Sequence, residues 1–138
     1  MFIYPMAAMV LYIFGVGLYT FSVRFRAVKN QQLKVSHFKC HNTSPDQIPE
    51  RVIIVGRHFD NQFQLPMLFL ITLVAAQTMP LYSSPLIIPL AWGFVATRMA
   101  HGYIHLGTNH VGQRALLYFA GWFLTVAIWL VMAFQSFA

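Results

Sequence analysis

The sequence predicts an all-α membrane protein, four transmembrane helices in an antiparallel bundle, and three observations predict it. Hydrophobic residues make up 58% of the 138-residue chain and charged residues only 9%, against roughly 25% charged in soluble domains. The apolar residues gather in four runs of about span length, at about residues 3–23, 63–79, 86–105 and 115–137. All nine Lys and Arg residues fall on one side of the topology that those runs define. A chain of this length holds one domain, so residues 1–138 read as a single unit.

The first run has no positive n-region and meets Arg24 without an Ala-x-Ala-like site, so it reads as a retained span rather than a signal peptide. A basic loop follows over residues 24–50, with Arg24, Arg26, Lys29, Lys34 and Lys39, and within it residues 42–50 have the Ser, Pro, Asn and Asp content of an irregular connection. Cys40 stands alone there and reads as a reduced thiol with no internal partner. Pro49 suits the opening of a helix that begins near Glu50.

On that helix Arg57, Asp60, Asn61 and Gln64 recur at i, i+3, i+4 and i+7, forming one polar stripe that enters the second run. Lipid cannot satisfy such a stripe, so it must face protein, water or a ligand. Pro66 removes the N–H that would bond the Gln62 carbonyl, which predicts a kink beside the stripe. From Pro80 to Pro85 a Pro/Ser turn folds the second and third spans into an antiparallel hairpin.

Arg98, His101 and His105 share one face of the third span at i, i+3 and i+7. An arginine at that depth must snorkel or meet an anion, with Asp60 as the intramolecular partner and a bound ligand as the equal alternative. The spacing of His101 and His105 suits two metal ligands on one helix. However, Gly102 stands where a zincin has Glu, and six histidines are too few for the boxes of a membrane di-iron enzyme. No metal is expected. The fourth run follows Arg114.

By the positive-inside rule both termini face outward and the two basic loops face the cytoplasm. The net charge of +6 then reflects topology and attraction to anionic lipid headgroups. Nucleic acid is not an expected partner, because no soluble recognition fold displays the cations. A transporter is disfavoured too, since the intramembrane charges cluster near one face and mark no path across the bilayer. Gly15, Gly17, Gly93, Gly121 and Ala127 allow close helix contact, within one chain or between chains. Tyr4, Trp92, Tyr118 and Phe137 read as lipid-facing span or interface residues.

In order along nearly the whole chain, these landmarks resemble the family of membrane-associated proteins in eicosanoid and glutathione metabolism, MAPEG. Val23-Arg24-Phe25-Arg26 resembles the family's basic exit from its first helix. Arg57, Asn61 and Gln64 before Pro66 resemble its Arg-x-x-x-Asn-x-x-Glu motif and following proline, with Gln64 in the place of Glu. Arg98, His101, His105-Leu106-Gly107 and Arg114 are similar to the Arg-x-x-His, Tyr-Leu-Gly and Arg landmarks of the prostaglandin E synthase branch, with His105 in the place of Tyr.

The resemblance implies a homotrimer of four-span chains with glutathione, as cosubstrate, bound between subunits near the cytoplasmic side. Its implied ligands here are Arg24, Arg57, Asn61, Gln64, Arg98, His101 and His105, with Arg114 stabilising the thiolate. The chemistry agrees, since glutathione carries two carboxylates and a thiol that reacts as thiolate, and forked guanidinium donors suit both needs. The expected reaction is addition of the thiolate to a lipophilic small-molecule electrophile, or reduction of a lipid hydroperoxide. A non-catalytic protein of the same fold, binding a lipid or a partner protein, is the alternative. Gln64 favours the alternative; Arg24, Asn61 and Arg114 favour the enzyme. A bacterial inner membrane is the expected location, with the endoplasmic reticulum second.

Overall fold

Among the residues that the computed structural model describes, 2–40, 44, 47–79 and 85–136, six α-helices carry the chain and no strand occurs. They are α1 (Ile3–Lys29), α2 (Val35–Cys40), α3 (Glu50–Asp60), α4 (Leu65–Thr78), α5 (Ile87–Leu106) and α6 (Val111–Ser136), with a 3-10 turn, Asn61–Phe63, between α3 and α4.

Two of these helices are long and apolar enough to cross a bilayer, α1 with a mean hydropathy of 1.8 and α6 with 2.0 over their best windows. With 27 residues, α1 is about 40 Å long at 1.5 Å per residue, more than the roughly 30 Å hydrocarbon core requires. Only 17% of the α1 window and 22% of the α6 window are buried. A soluble protein would enclose helices this apolar. Here Leu11, Phe14, Phe21, Leu116, Phe123 and Phe134 are left exposed, as lipid-facing side chains are.

The core lies between α1, α4, α5 and α6. Phe69 of α4 stacks on Phe94 of α5 with centroids 4.0 Å apart, and Met9, Leu73, Ala91 and Ile128 close around the pair. Gly121 lets α6 come close, since a Cβ there would stand 3.3 Å from Leu65 and 3.5 Å from Phe94. Trp129 donates its indole N–H to Thr72 Oγ1 at 3.0 Å, tying α6 to α4. Gly93 likewise faces Leu124 of its own chain, whereas Gly15 has open space beside it.

Several expected boundaries move. The first span continues past Val23 to Lys29, where Arg26 and Lys29 in the last turn complement the helix dipole. Asn30 and Gln31, the latter at φ 57°, end the helix, and Leu33 returns its N–H to the Ala27 carbonyl. Leu33, Ala27 and Val52 then form a small core with Phe38 of α2 and Ile48. The basic segment 24–50, expected as a loop, is therefore partly helical, with the end of α1 and all of α2 inside it, and packed on α3. Its residues 41–43 and 45–46 lie outside the described residues, as do the side chain of Cys40, most of the turn from Pro80 to Pro85, and Phe137.

The polar helix begins at Glu50 as expected, with Pro49 in the cap position. It does not run unbroken into the second apolar run. The chain tightens into the 3-10 turn and leaves helical geometry at Gln64 (φ −101°, ψ −103°) before Pro66 opens α4. Proline lacks the N–H for the Gln62 carbonyl and its ring crowds that carbonyl, which accounts for the interruption. The 14-residue α4 is about 21 Å long, short for a span by itself.

Candidate functional site

Four helix ends meet at one end of the bundle and bring the basic residues together. Arg51 of α3 donates to the Leu106 carbonyl at the end of α5 and to the Tyr19 hydroxyl of α1. Between α5 and α6 the link turns on Asn109, at φ 53°, whose side chain accepts from Arg114. Asparagine tolerates this left-handed conformation because its short amide bonds locally. At Gly107 a Cβ would lie 2.8 Å from the Tyr103 carbonyl oxygen, so the exit from α5 requires glycine.

Two polar regions result. The first is a groove of about 250 Å³ lined by Arg24, Phe38, Val52, Gly56, Arg57 and Asp60, among others. Arg24 reaches across Gly56, where a Cβ would sit 3.4 Å from its guanidinium, and lies 5.7 Å from the centre of the Phe38 ring. Two arginines on one open groove form a natural seat for a carboxylate.

The second region is buried. The shared face of α5 turns inward, leaving Arg98 at 1%, His101 at 3% and His105 at 2% exposure. From α3, His58 joins them fully buried, its ring 6.0 Å from that of His101 and 5.1 Å from that of His105. His58 Nδ1 is 3.2 Å from His105 Nδ1, and its Nε2 is 3.1 Å from the Tyr12 hydroxyl of α1. Gln62, one turn on, bonds the His58 carbonyl at 2.8 Å. Gly102 makes room for Tyr12, whose hydroxyl occupies the space a Cβ would need. His101 Nδ1 donates to the Arg114 carbonyl at 3.0 Å.

Arg98 is the unusual member of this group. Its Nε and both terminal nitrogens are buried without a hydrogen-bond partner among the described residues. The expected pairing with Asp60 does not form; Asp60 is exposed and lines the groove instead. What Arg98 does meet is the Tyr118 ring, 5.6 Å away, so Tyr118 is more than the lipid-facing residue its sequence context suggests. A buried guanidinium with no acceptor costs several kcal/mol, which an anion delivered to it would recover.

Of the expected site residues, Arg24 and Arg57 share the groove, while Arg98, His101, His105 and Arg114 share the buried region. Arg57 links the two, because its charge acts on His105. Asn61 and Gln64 do not follow: the break before Pro66 takes them off the α3 face, leaving Asn61 half-buried and Gln64 exposed. In their stead Gln62 is fully buried. His58, Tyr12 and Gln62 were not singled out by sequence. The i, i+4 spacing of His58 and Gln62 was the one local signal for them.

Beside the histidines, α1 and α5 enclose an apolar cleft of about 340 Å³, lined by Tyr12, Val16, Met99, Gly102, Tyr103, Leu106 and Gly107. Its lining suits a lipophilic molecule, and Tyr12 connects it to His58.

Searches of curated proteins and of solved structures found no match. The sequence model of the MAPEG family, by contrast, matches residues 2–134. Nearly the whole chain is covered, and with its apolar, outward-facing helices this protein belongs to the MAPEG family of membrane proteins.

Proposed function

We propose that the protein is a multi-pass membrane enzyme that binds glutathione and adds its thiolate to lipophilic electrophiles, or uses it to reduce lipid hydroperoxides. The observation that carries this reading is Arg98, a buried cation with three unpartnered nitrogens, beside a groove bearing Arg24 and Arg57. An anionic ligand with more than one carboxylate answers both regions. Arg114, held by Asn109, is the cation assigned to the thiolate.

In the addition, the sulfur lone pair forms an S–C bond to the electrophile, and the displaced group or the resulting carbanion takes up a proton. In the reduction, two glutathione thiols and one hydroperoxide give a disulfide, an alcohol and water. The apolar cleft beside Tyr12 offers the lipophilic partner an entry from the bilayer.

Family membership supports four spans, α1, the interrupted pair α3–α4, α5 and α6, with the basic end cytoplasmic and three chains assembled around intersubunit sites. In such a trimer the exposed Gln64 and half-buried Asn61 are available to a neighbouring subunit.

The test is equilibrium binding of glutathione to the detergent-purified protein, with thiolate absorbance followed over pH. Saturable binding, with thiolate formed below the free thiol's pKa and lost in Arg114→Ala, supports the enzyme. Absence of binding at millimolar glutathione to an intact, oligomeric protein refutes it. One observation favours the alternative of a non-catalytic lipid- or protein-binding relative: Gln64 lacks the carboxylate of the family motif and lies outside both polar regions. Binding gained only in Gln64→Glu would decide for that alternative.

A further inference from the structure

We propose that His58, His101 and His105 form a three-histidine site for a late first-row transition-metal ion of the zinc or copper class. One nitrogen from each ring lies within 4.8 Å of the others, and all three residues are buried. His58 Nδ1 and His105 Nδ1 are 3.2 Å apart. Two nitrogens each about 2.0–2.1 Å from a tetrahedral ion stand about 3.3 Å apart, so the observed spacing already fits co-ligation.

The protonation pattern points the same way. His101 Nδ1 bonds a carbonyl, Arg114 O, and so must carry the proton. That leaves the lone pair on Nε2, which is buried and has no partner among the described residues. A metal-binding imidazole is typically held in this manner, its second nitrogen donating to a carbonyl. His58 Nε2 lies 3.1 Å from the Tyr12 hydroxyl and 3.3 Å from the Gln62 amide nitrogen, while its Nδ1 faces His105 Nδ1; in the tautomer with the proton on Nε2, donated to the Tyr12 oxygen, Nδ1 presents its lone pair toward His105. A proton shared between His58 and His105 can satisfy that pair but does nothing for His101 Nε2. A metal ion engages all three.

The surrounding charge sets the rest of the coordination. Arg98 and Arg114 act on all three imidazoles and Arg57 on His105, so a bare dication would be repelled. An anion in the fourth position offsets this, and the unpartnered nitrogens of Arg98 are suited to steady it. Imidazole ligands select zinc, copper, nickel or iron; magnesium and calcium, which need oxygen ligands, are excluded. The proposed site departs from the sequence expectation, because His58 comes from a helix that the His101–His105 spacing does not reveal. It does not depend on glutathione binding.

The experiment uses detergent-purified protein without a polyhistidine tag, stripped by chelator and re-equilibrated with Zn²⁺ or Co²⁺ alone. The expected result is one ion per chain and visible d–d absorption of tetrahedral Co²⁺. Affinity should fall by about 100-fold or more in His58→Gln and His105→Gln and stay unchanged in His110→Gln, an exposed histidine. Wild-type protein that is helical and oligomeric yet retains no stoichiometric ion overturns the proposal, whatever the variants do. An ion lost equally in His110→Gln does so too, leaving the three histidines as a metal-free hydrogen-bonded network.

Discussion

Replacing Arg98 by methionine should stabilise the ligand-free protein while abolishing its response to glutathione. Arg98 is 1% exposed and none of its guanidinium nitrogens has an acceptor among the described residues, so the wild type bears the desolvation of a cation that the Tyr118 ring offsets in small part. Methionine fills much of the same volume without charge. Exchanges of buried charged groups for apolar ones of similar size are neutral or stabilising by about 1–4 kcal/mol, whereas breaking a genuine buried pair costs about 3–5 kcal/mol. The two cases differ in sign, which makes the measurement decisive. Thermal unfolding in detergent, on chelator-treated protein with and without glutathione, reads both effects. At a ligand concentration of about 100 Kd the wild type should gain about 2.7 kcal/mol, and Arg98→Met should gain nothing. A loss of about 3 kcal/mol or more in ligand-free Arg98→Met would mean that Arg98 already has a strong acceptor and is not waiting for an anion.

Other consequences follow from particular contacts. Gly102→Val should force Tyr12 out of its place against α5 and cost about 1–3 kcal/mol in chemical unfolding; an unchanged midpoint would show that the two helices do not pack as described. Trp129→Phe removes the bond to Thr72 and should cost about 1 kcal/mol or somewhat more, because Thr72 is buried, with Thr72→Val rescuing part of the loss in a double-mutant cycle. Arg24→Ala and Arg57→Ala should each weaken glutathione binding by about tenfold or more, the equivalent of about 1.4 kcal/mol, when titrated by calorimetry. Equal affinity in both variants would take the groove out of the site. Reporter fusions at Asn30 and at the C-terminus should report opposite sides of the membrane, as a four-span chain with a cytoplasmic basic end demands.

Much of this molecule is legible residue by residue. Apolar runs of bilayer length, the lone Pro/Ser turn and the one-sided placement of Lys and Arg determine helices, membrane character and the end at which polar chemistry gathers, because each depends on local composition and on a helical period. The inward face of Arg98, His101 and His105 is of this kind: three residues on one helix keep their relation whatever surrounds them. The break before Pro66 was foreseeable as a kink, but its extent was not, since a proline states that a hydrogen bond is missing and leaves to packing how the chain uses the freedom. That freedom removed Asn61 and Gln64 from the stripe and buried Gln62. His58 and His105 stand 47 residues apart in sequence and 3.2 Å apart in space. Only the docking of α3 on α5 makes them neighbours, and it also leaves Arg98 without Asp60, because contacts between distant elements are set by shape and burial across the whole bundle and leave no periodic trace in the chain.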